Sequence, residues 1–331
     1  MGMNLHRAFI AGMGHALPEN VITNADLEKI VETSDEWITT RTGIKVRHKA
    51  APGEFTSTFA TRAARTALER AGVDPADLEL IICATVCPDM ALPSTAVLIQ
   101  SMLGAKKAAA FDLTAACSGF LYALTVASQF IATGTHNNIL IIGAELLTRY
   151  VDYTDRGTCV IFGDGAGAAV VRRSPDGKRG VLAARIQSDG DFAEFLYIPG
   201  GGTRIPASHE SVDQRQHFIK MKGNELFKVA VRSMEDLSRR VLDEVKMTAS
   251  DIDILVPHQA NQRITDAVAD RLGIASEKVY SNIAEIGNTS SASIPICLDE
   301  LSEAGKLKPG MTVMMTSFGA GTTWGSVLMR W

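Results

Sequence analysis

Cysteine is scarce and unpatterned in this chain. The five residues, Cys83, Cys87, Cys117, Cys159 and Cys297, are odd in number and have no framework spacing. This excludes a disulfide scaffold and points to a reducing, cytoplasmic compartment. Cys83 and Cys87 have no histidine near them in sequence and no second pair to answer them, so core packing is expected rather than metal. A basic excess is missing too: 33 Lys and Arg against 37 Asp and Glu leave a net charge of −4. No nucleic-acid partner is expected from such a balance. Apolar runs such as ILIIGAELL are too short to span a bilayer, so no membrane is expected. The start, MGMNLHRAFIAGMGHALP, lacks a signal-peptide pattern. It opens Met-Gly, but His6 stands where myristoylation wants Ser or Thr.

What is present is an ordinary globular composition, 46% hydrophobic and 21% charged, over 331 residues. That length calls for two domains or one large layered fold. Short β-rich runs alternate with amphipathic helices, the α/β pattern. The order then repeats. TSTFATRAARTALERAG carries Phe59, Ala63, Ala64, Ala67 and Leu68 on one helical face and leads into DPADLELIICATV. NELFKVAVRSMEDLSRRVLDEV carries Phe227, Ala230, Met234, Leu237, Val241 and Val245 and leads into SDIDILVPHQA. VLIQSMLGAKKAAAFDL is answered by DAVADRLGIASEKVYSNI, each read as helix, Gly stop and strand. NNILIIGAEL is answered by MTVMMTSFGA, and FGDGAGAAVV by FGAGTTWGSVLM. An internal duplication follows, with halves 1–174 and 180–331 joined at the charged linker RRSPDGKRG. FGDGAG passes into a strand, whereas a phosphate-cradling loop should pass into a helix, so it reads as a turn.

Ligands in α/β folds bind beyond the carboxyl ends of strands. Three polar residues fall there. Cys117 follows AAAFDL and opens an apolar helix, whose dipole favours thiolate. His258 follows DILV and the strand-ending Pro257. Asn288 follows KVYSNI in IGNTSSASIP, at a seam matching that of Cys117. Each alone also reads as structural: a small buried thiol, a satisfied histidine, a turn asparagine. Together they suit carbon–carbon bond formation on thioesters. The cysteine would hold an acyl group covalently while His Nε2–H and Asn N–H steady an enolate oxygen after decarboxylation. A neutral imidazole suffices. The Cys117 N–H is one oxyanion donor, and the turn Gly319-Ala320-Gly321, which also reads as a plain hairpin corner, offers a second.

TAACSGF, PHQANQRI, GNTSSASIP and SFGAGTTWGS, in that order, resemble beta-ketoacyl-acyl carrier protein synthase III, a condensing enzyme of the thiolase superfamily. The likeness runs from FIAGMGHALPE to the last residue. It implies a thiolase-like α/β fold of two pseudo-symmetric halves in an α-β-α-β-α stack, usually a homodimer. It implies joining of an acyl primer, brought as acyl-CoA, to malonyl-acyl carrier protein, starting type II fatty acid synthesis without a cofactor. Cys117 matches the nucleophile and His258 and Asn288 the decarboxylation pair. Phe162 matches an aromatic beside the nucleophile. Ala320 stands where the family has the middle glycine of a Gly-Gly-Gly turn, which a backbone donor survives if φ is negative.

In TSDEWITTRTGIKVRH, Thr33 and Glu36 read as a capping box, placing Trp37 and Arg41 on one helical face. The resemblance makes these the coenzyme A site, with Arg156 stacking from the other side and Asn261 on the pantetheine arm. Without it Trp37 reads as core and Arg41 as surface. Lys228, Arg232 and Arg263 form a candidate basic dock for the acidic carrier, or a solvated face, since Asp266 and Asp270 lie close by. Leu92, in DMALPSTA, matches a residue that limits primer length across the dimer, and leaves the primer open. Two rival readings remain: a specialised condensing enzyme of secondary metabolism, and a papain-like cysteine hydrolase, which also runs Cys, His, Asn. A non-enzymatic acyl-binding protein is a third, opposed by the intact Cys-His-Asn set.

Overall fold

The computed structural model describes residues 5–331; the Met1-Gly2 start lies outside the described residues. Two sheets carry the fold. The first contains β1 (Ala8–Ala16), β2 (Leu80–Ala84), β3 (Ala109–Leu113), β4 (Asn138–Leu146) and β5 (Asp164–Arg173), in the order β1-β5-β4-β2-β3. The second contains β6 (Gly180–Ser188), β7 (Ile254–Pro257), β8 (Thr312–Gly319) and β9 (Thr323–Arg330), in the order β6-β9-β8-β7. Strand directions match position by position: β4 is parallel to β2 as β8 is to β7, β1–β5 and β5–β4 are antiparallel as β6–β9 and β9–β8 are, and β3 pairs β2 in parallel. The strand expected at KVYSNI is not formed. Only Val279 bridges Leu255, in parallel, at the position β3 holds in the first sheet. Beyond it Ser281 and Asn282 turn to bond the Gln259 side chain, so the polar residues leave the ladder.

The longer helices are α1 (Asp35–Thr42), α2 (Thr56–Ala71), α3 (Thr95–Leu103), α4 (Gly119–Thr133), α5 (Gly223–Glu244), α6 (Gln262–Leu272) and α7 (Ser293–Glu303). Burial explains their placement. In β2, Ile81 and Cys83 pack on α2 and α3, whereas Leu80, Ile82 and Ala84 face α4 and α7. In the second sheet Val313 and Met315 meet α4 and α7, whereas Met314 and Leu328 meet α5 and α6. The layers are therefore α2/α3, sheet, α4/α7, sheet, α5/α6, the stack the resemblance implied. Strands buried on both faces explain the unbroken apolar runs. The two halves share the α4/α7 layer as one core.

That shared layer also corrects one expectation. Ala116–Thr133 is long and apolar enough, by length and composition, to cross a membrane. Its apolarity serves burial between two sheets instead, where Phe120, Leu121, Ala123, Leu124, Ala127 and Ile131 pack in the shared core. Close approach sets the glycines here. A Cβ on Gly143 of β4 would sit 2.2 Å from the Ser291 carbonyl, and one on Gly319 would sit 2.6 Å from the Cys117 nitrogen.

Candidate active site

Two short 3-10 turns, Ala116–Ser118 and Ser290–Ala292, lead into α4 and α7. Each opens on a non-glycine residue in left-handed backbone, Ala116 at φ 46° and Ser290 at φ 50°. Such strain collects where surrounding structure over-determines a conformation, and functional sites are where it is commonly found. The seams match between the halves, but the residues within them do not. Counted from each turn, Ser291 is the counterpart of Cys117, and Asn288 lies three residues earlier.

Cys117, His258 and Asn288 line one cavity of about 110 Å³, together with Phe162, Asn261, Phe318 and Gly319. Each of the three is nearly buried. His258 follows β7, its N–H held by Thr316 of β8 at 2.8 Å. Its Nδ1 lies 2.6 Å from the Ser293 hydroxyl, while Nε2 is buried and has no protein partner among the described residues. Burial pulls its pKa down to about 3, so the ring is neutral. With Ser293 donating to Nδ1, the proton sits on Nε2, which is the only nitrogen left to meet a ligand. Asn288 is held at both ends. Its backbone pairs with Ile161 and Gly163, and its Oδ1 accepts the Ser290 N–H at 2.8 Å. That bond fixes the amide so that Nδ2 is left free to donate.

The thiol departs from expectation. Burial pushes Cys117 up to about 12, outweighing the Ser290 hydroxyl and the N–H groups of Cys117 and Ala320, which all favour thiolate. A helix start does not by itself ionise a sulfur this deep. Ala320 is not among the left-handed residues, and its N–H favours the Cys117 thiolate. Two backbone N–H groups therefore favour negative charge at this sulfur.

A second cavity, about 200 Å³, shares Cys117, Phe162 and Ala320 with the first. Val86, Leu147, Leu196, Ile198 and Ile219 are among its other lining residues. Those five were missed in the sequence because they come from separate loops, each too short to show a pattern. Leu92 lines neither cavity of its own chain and is 85% exposed.

At α1 the cap is Ser34, not Thr33: its hydroxyl accepts the Trp37 N–H at 3.1 Å. Either hydroxyl could start the helix in sequence, and the turn geometry selects the second. Trp37 carries two guanidiniums, Arg41 at 5.0 Å and Arg156 at 5.1 Å from its ring centre. Asn261 caps α6 and donates to the Arg41 carbonyl at 2.9 Å, so the residue that lines the cavity also ties α1 to it. Lys228, Arg232 and Arg263 are exposed. The Arg263 guanidinium lies 5.7 Å over Phe227, which lines the cavity with the central three.

Sequence reading also missed Glu145, the one charged residue in NILIIGAEL. It is fully buried at the end of β4 and accepts from the Val86 N–H at 3.0 Å, Ser291 Oγ at 2.8 Å and Ser290 Oγ at 3.2 Å. A lone acid in an apolar strand was the available signal.

Family models for 3-oxoacyl-[acyl-carrier-protein (ACP)] synthase III match residues 111–190, and for its C-terminal part residues 242–331. A beta-ketoacyl-[acyl-carrier-protein] synthase III from Caldanaerobacter subterraneus is 51% identical, covering 98% of both chains. The 3-oxoacyl-[acyl-carrier-protein] synthase III structure from Aquifex aeolicus is also 51% identical, with a TM-score of 0.91 over 98% of this chain and 100% of that one. A priming beta-ketosynthase of the R1128 polyketide pathway superposes with a TM-score of 0.92 at 33% identity, over 100% of this chain and 98% of that one.

Proposed function

The chain belongs to the 3-oxoacyl-[acyl-carrier-protein] synthase III family, and from that premise we propose how its residues divide the work of condensation. The enzyme is an acyltransferase that joins an acyl primer to malonyl-acyl carrier protein with loss of carbon dioxide, initiating fatty acid synthesis. Neither the polyketide nor the hydrolase alternative is favoured: the polyketide enzyme is the more distant likeness, and the fold belongs to condensing enzymes.

Cys117 attacks the primer thioester, and the N–H groups of Cys117 and Ala320 hold the oxyanion. The acyl chain enters the apolar cavity bounded by Leu147 and Ile219, while the carrier arm occupies the cavity of His258 and Asn288. There the two N–H donors hold the enolate oxygen as carbon dioxide leaves, and the carbanion attacks the Cys117 thioester. No cofactor enters the scheme. The observation that carries this reading is a single sulfur facing two cavities, one apolar and one armed with two free donors.

Coenzyme A stacks its adenine on Trp37 with Arg41 and Arg156 on the phosphates, and Asn261 guides the pantetheine inward. Lys228, Arg232 and Arg263 receive the acidic carrier. The enzyme is a homodimer, with Leu92 reaching the partner's primer cavity. Its five unpaired, buried cysteines suit a cytoplasmic setting. The test is intact-mass measurement after exposure to a panel of straight and branched acyl-CoA primers. A single acyl adduct is expected, absent in Cys117→Ala; an adduct that persists in that variant overturns the assignment.

A further inference from the structure

Arg47 is sealed inside the protein, 1% exposed, yet it lines neither cavity of the site. It lies on the second of two short antiparallel strands, Val21–Thr23 and Val46–His48. Its Nη1 donates to Asn24 Oδ1 at 2.7 Å, and its Nη2 donates to the Val160 carbonyl. Val160 belongs to residues 151–161, a run without strand or helix that leads into Phe162. The next carbonyl, that of Ile161, accepts the Asn288 N–H at 3.0 Å, and the Gly163 N–H donates to the Asn288 carbonyl at 2.9 Å. We infer that Arg47 is a positioning residue for Asn288. By gripping the Val160 carbonyl it holds the Ile161–Gly163 backbone on which Asn288 hangs, and so places Nδ2 for the enolate oxygen that it shares with His258 Nε2. This rests on the reading of Asn288 as an enolate donor.

The packing agrees with such a grip. A Cβ at Gly163 or at Gly287 would lie 3.1 Å from the Arg47 Cβ, so backbone on both sides of the Phe162–Asn288 pair rests against the arginine stem. The other end of the fork is anchored. Asn24 is buried, and its Nδ2 donates to Asp35 Oδ1 at 2.7 Å and to the Ile44 carbonyl at 2.9 Å. With Nη1 fixed there, the flat guanidinium fixes where Nη2 points. Ser290 sets the rotation of the Asn288 amide through Oδ1, and Arg47 sets where the backbone that carries it stands.

Stability alone does not account for an arginine at this place. Among the described residues its hydrogen-bond partners are neutral oxygens, those of Ile22, Asn24 and Val160, and its Nε is buried without a partner. Burial lowers its pKa to about 10, which still leaves it charged at neutral pH. A buried charge with no carboxylate against it and one unanswered N–H costs stability. In return the guanidinium supplies two donors at a fixed spacing, joining a side-chain amide to a backbone carbonyl far along the chain. A lysine ammonium offers no such fork. Local rules are broken in this way where geometry serves a site.

The test compares the two half-reactions in the full-length enzyme carrying Arg47→Lys or Arg47→Met, each with and without Asn288→Ala. Acylation is followed by time-resolved intact mass at a saturating concentration of an acyl-CoA that labels the wild type. Decarboxylation is followed as carbon dioxide released from malonyl-acyl carrier protein. Arg47→Lys is expected to lower kcat for decarboxylation roughly tenfold, and Arg47→Met by up to the hundredfold that a displacement of about 1 Å can cost. Acylation should stay within about twofold of the wild type in both. On top of Asn288→Ala neither substitution should subtract more than about twofold, because the group being placed is gone. A general loosening of the fold would act through other groups as well. Equal loss in both half-reactions, or the full further loss in the Asn288→Ala background, therefore overturns the inference. Should Arg47→Met not fold, Arg47→Lys carries both comparisons, and decarboxylation at the wild-type rate in that variant overturns the inference alone. An Asn288→Ala enzyme that decarboxylates as fast as the wild type would mark failure of the donor reading instead.

Discussion

His258 serves as a hydrogen-bond donor only while its ring is neutral, and burial secures that state. Its folded pKa of about 3 lies below the ordinary 6.5, so the unfolded chain takes up a proton before the folded one does. This group therefore contributes stability above the unfolded value and loses it as pH falls toward the folded one. Between those limits Nε2–H stays available, and decarboxylation is expected to show no histidine step near neutral pH. We predict that His258→Ala and Asn288→Ala each leave primer acylation intact, because neither group touches the Cys117 oxyanion donors. Decarboxylation of malonyl-carrier should fall by a factor of about 10² to 10³, the loss of one preorganised donor worth about 3–4 kcal/mol. Separate assays of the two half-reactions decide it: parallel loss of both in either variant would end this division of labour.

Elements, rather than single residues, decide how substrates reach that site. α1 offers Trp37 and Arg41 at the surface, and α6 starts at Asn261 on the cavity wall; the 2.9 Å bond from Asn261 to the Arg41 carbonyl joins them. α5 and α6 present Lys228, Arg232 and Arg263 outward. Trp37→Ala should raise the KM for acyl-CoA in acylation and leave malonyl-carrier kinetics alone, whereas Arg263→Glu should do the reverse. Steady-state kinetics with both substrates varied would expose the opposite pattern. The helices themselves were legible in the sequence. Phe59, Ala63, Ala64, Ala67 and Leu68 repeat at helical spacing and all are buried, and Gly72 ends α2 in left-handed backbone at φ 61°. The Cys and His seams were legible because each follows an apolar strand, whereas Asn288 follows the short helix Ile283–Ile286 and not the strand its seam was read from. KVYSNI was not legible, since its alternation extends one pairing residue before Ser281 and Asn282 find side-chain partners. Nor was the Ser290–Glu145 contact, because 145 residues separate its members and no local period links them.

At the scale of the molecule, the two sheets differ in one consequential respect: β3 completes the first, and it is an edge. It pairs with β2 alone, and Phe111 points outward with 38% of its surface exposed. Leu92 and Met90, on the loop before α3, and Val97 and Met102, on α3 itself, are also exposed. An open strand edge beside apolar side chains invites pairing with another strand, and natural proteins rarely leave one uncovered. A second copy of β3 would extend the sheet across a two-fold axis and carry the exposed Leu92 toward the partner. That geometry would explain why Leu92 lines no cavity of its own chain. Phe111→Asp puts a charge at the centre of such a seam, where its desolvation is not offset by any partner. The wild type is expected to be dimeric by light scattering and the variant monomeric. Primer selectivity should change along with assembly, because each primer cavity would lose the side chain supplied from across the axis. A monomeric wild type, or a Phe111→Asp monomer with the same primer preference as the dimer, would show that Leu92 does not act between subunits.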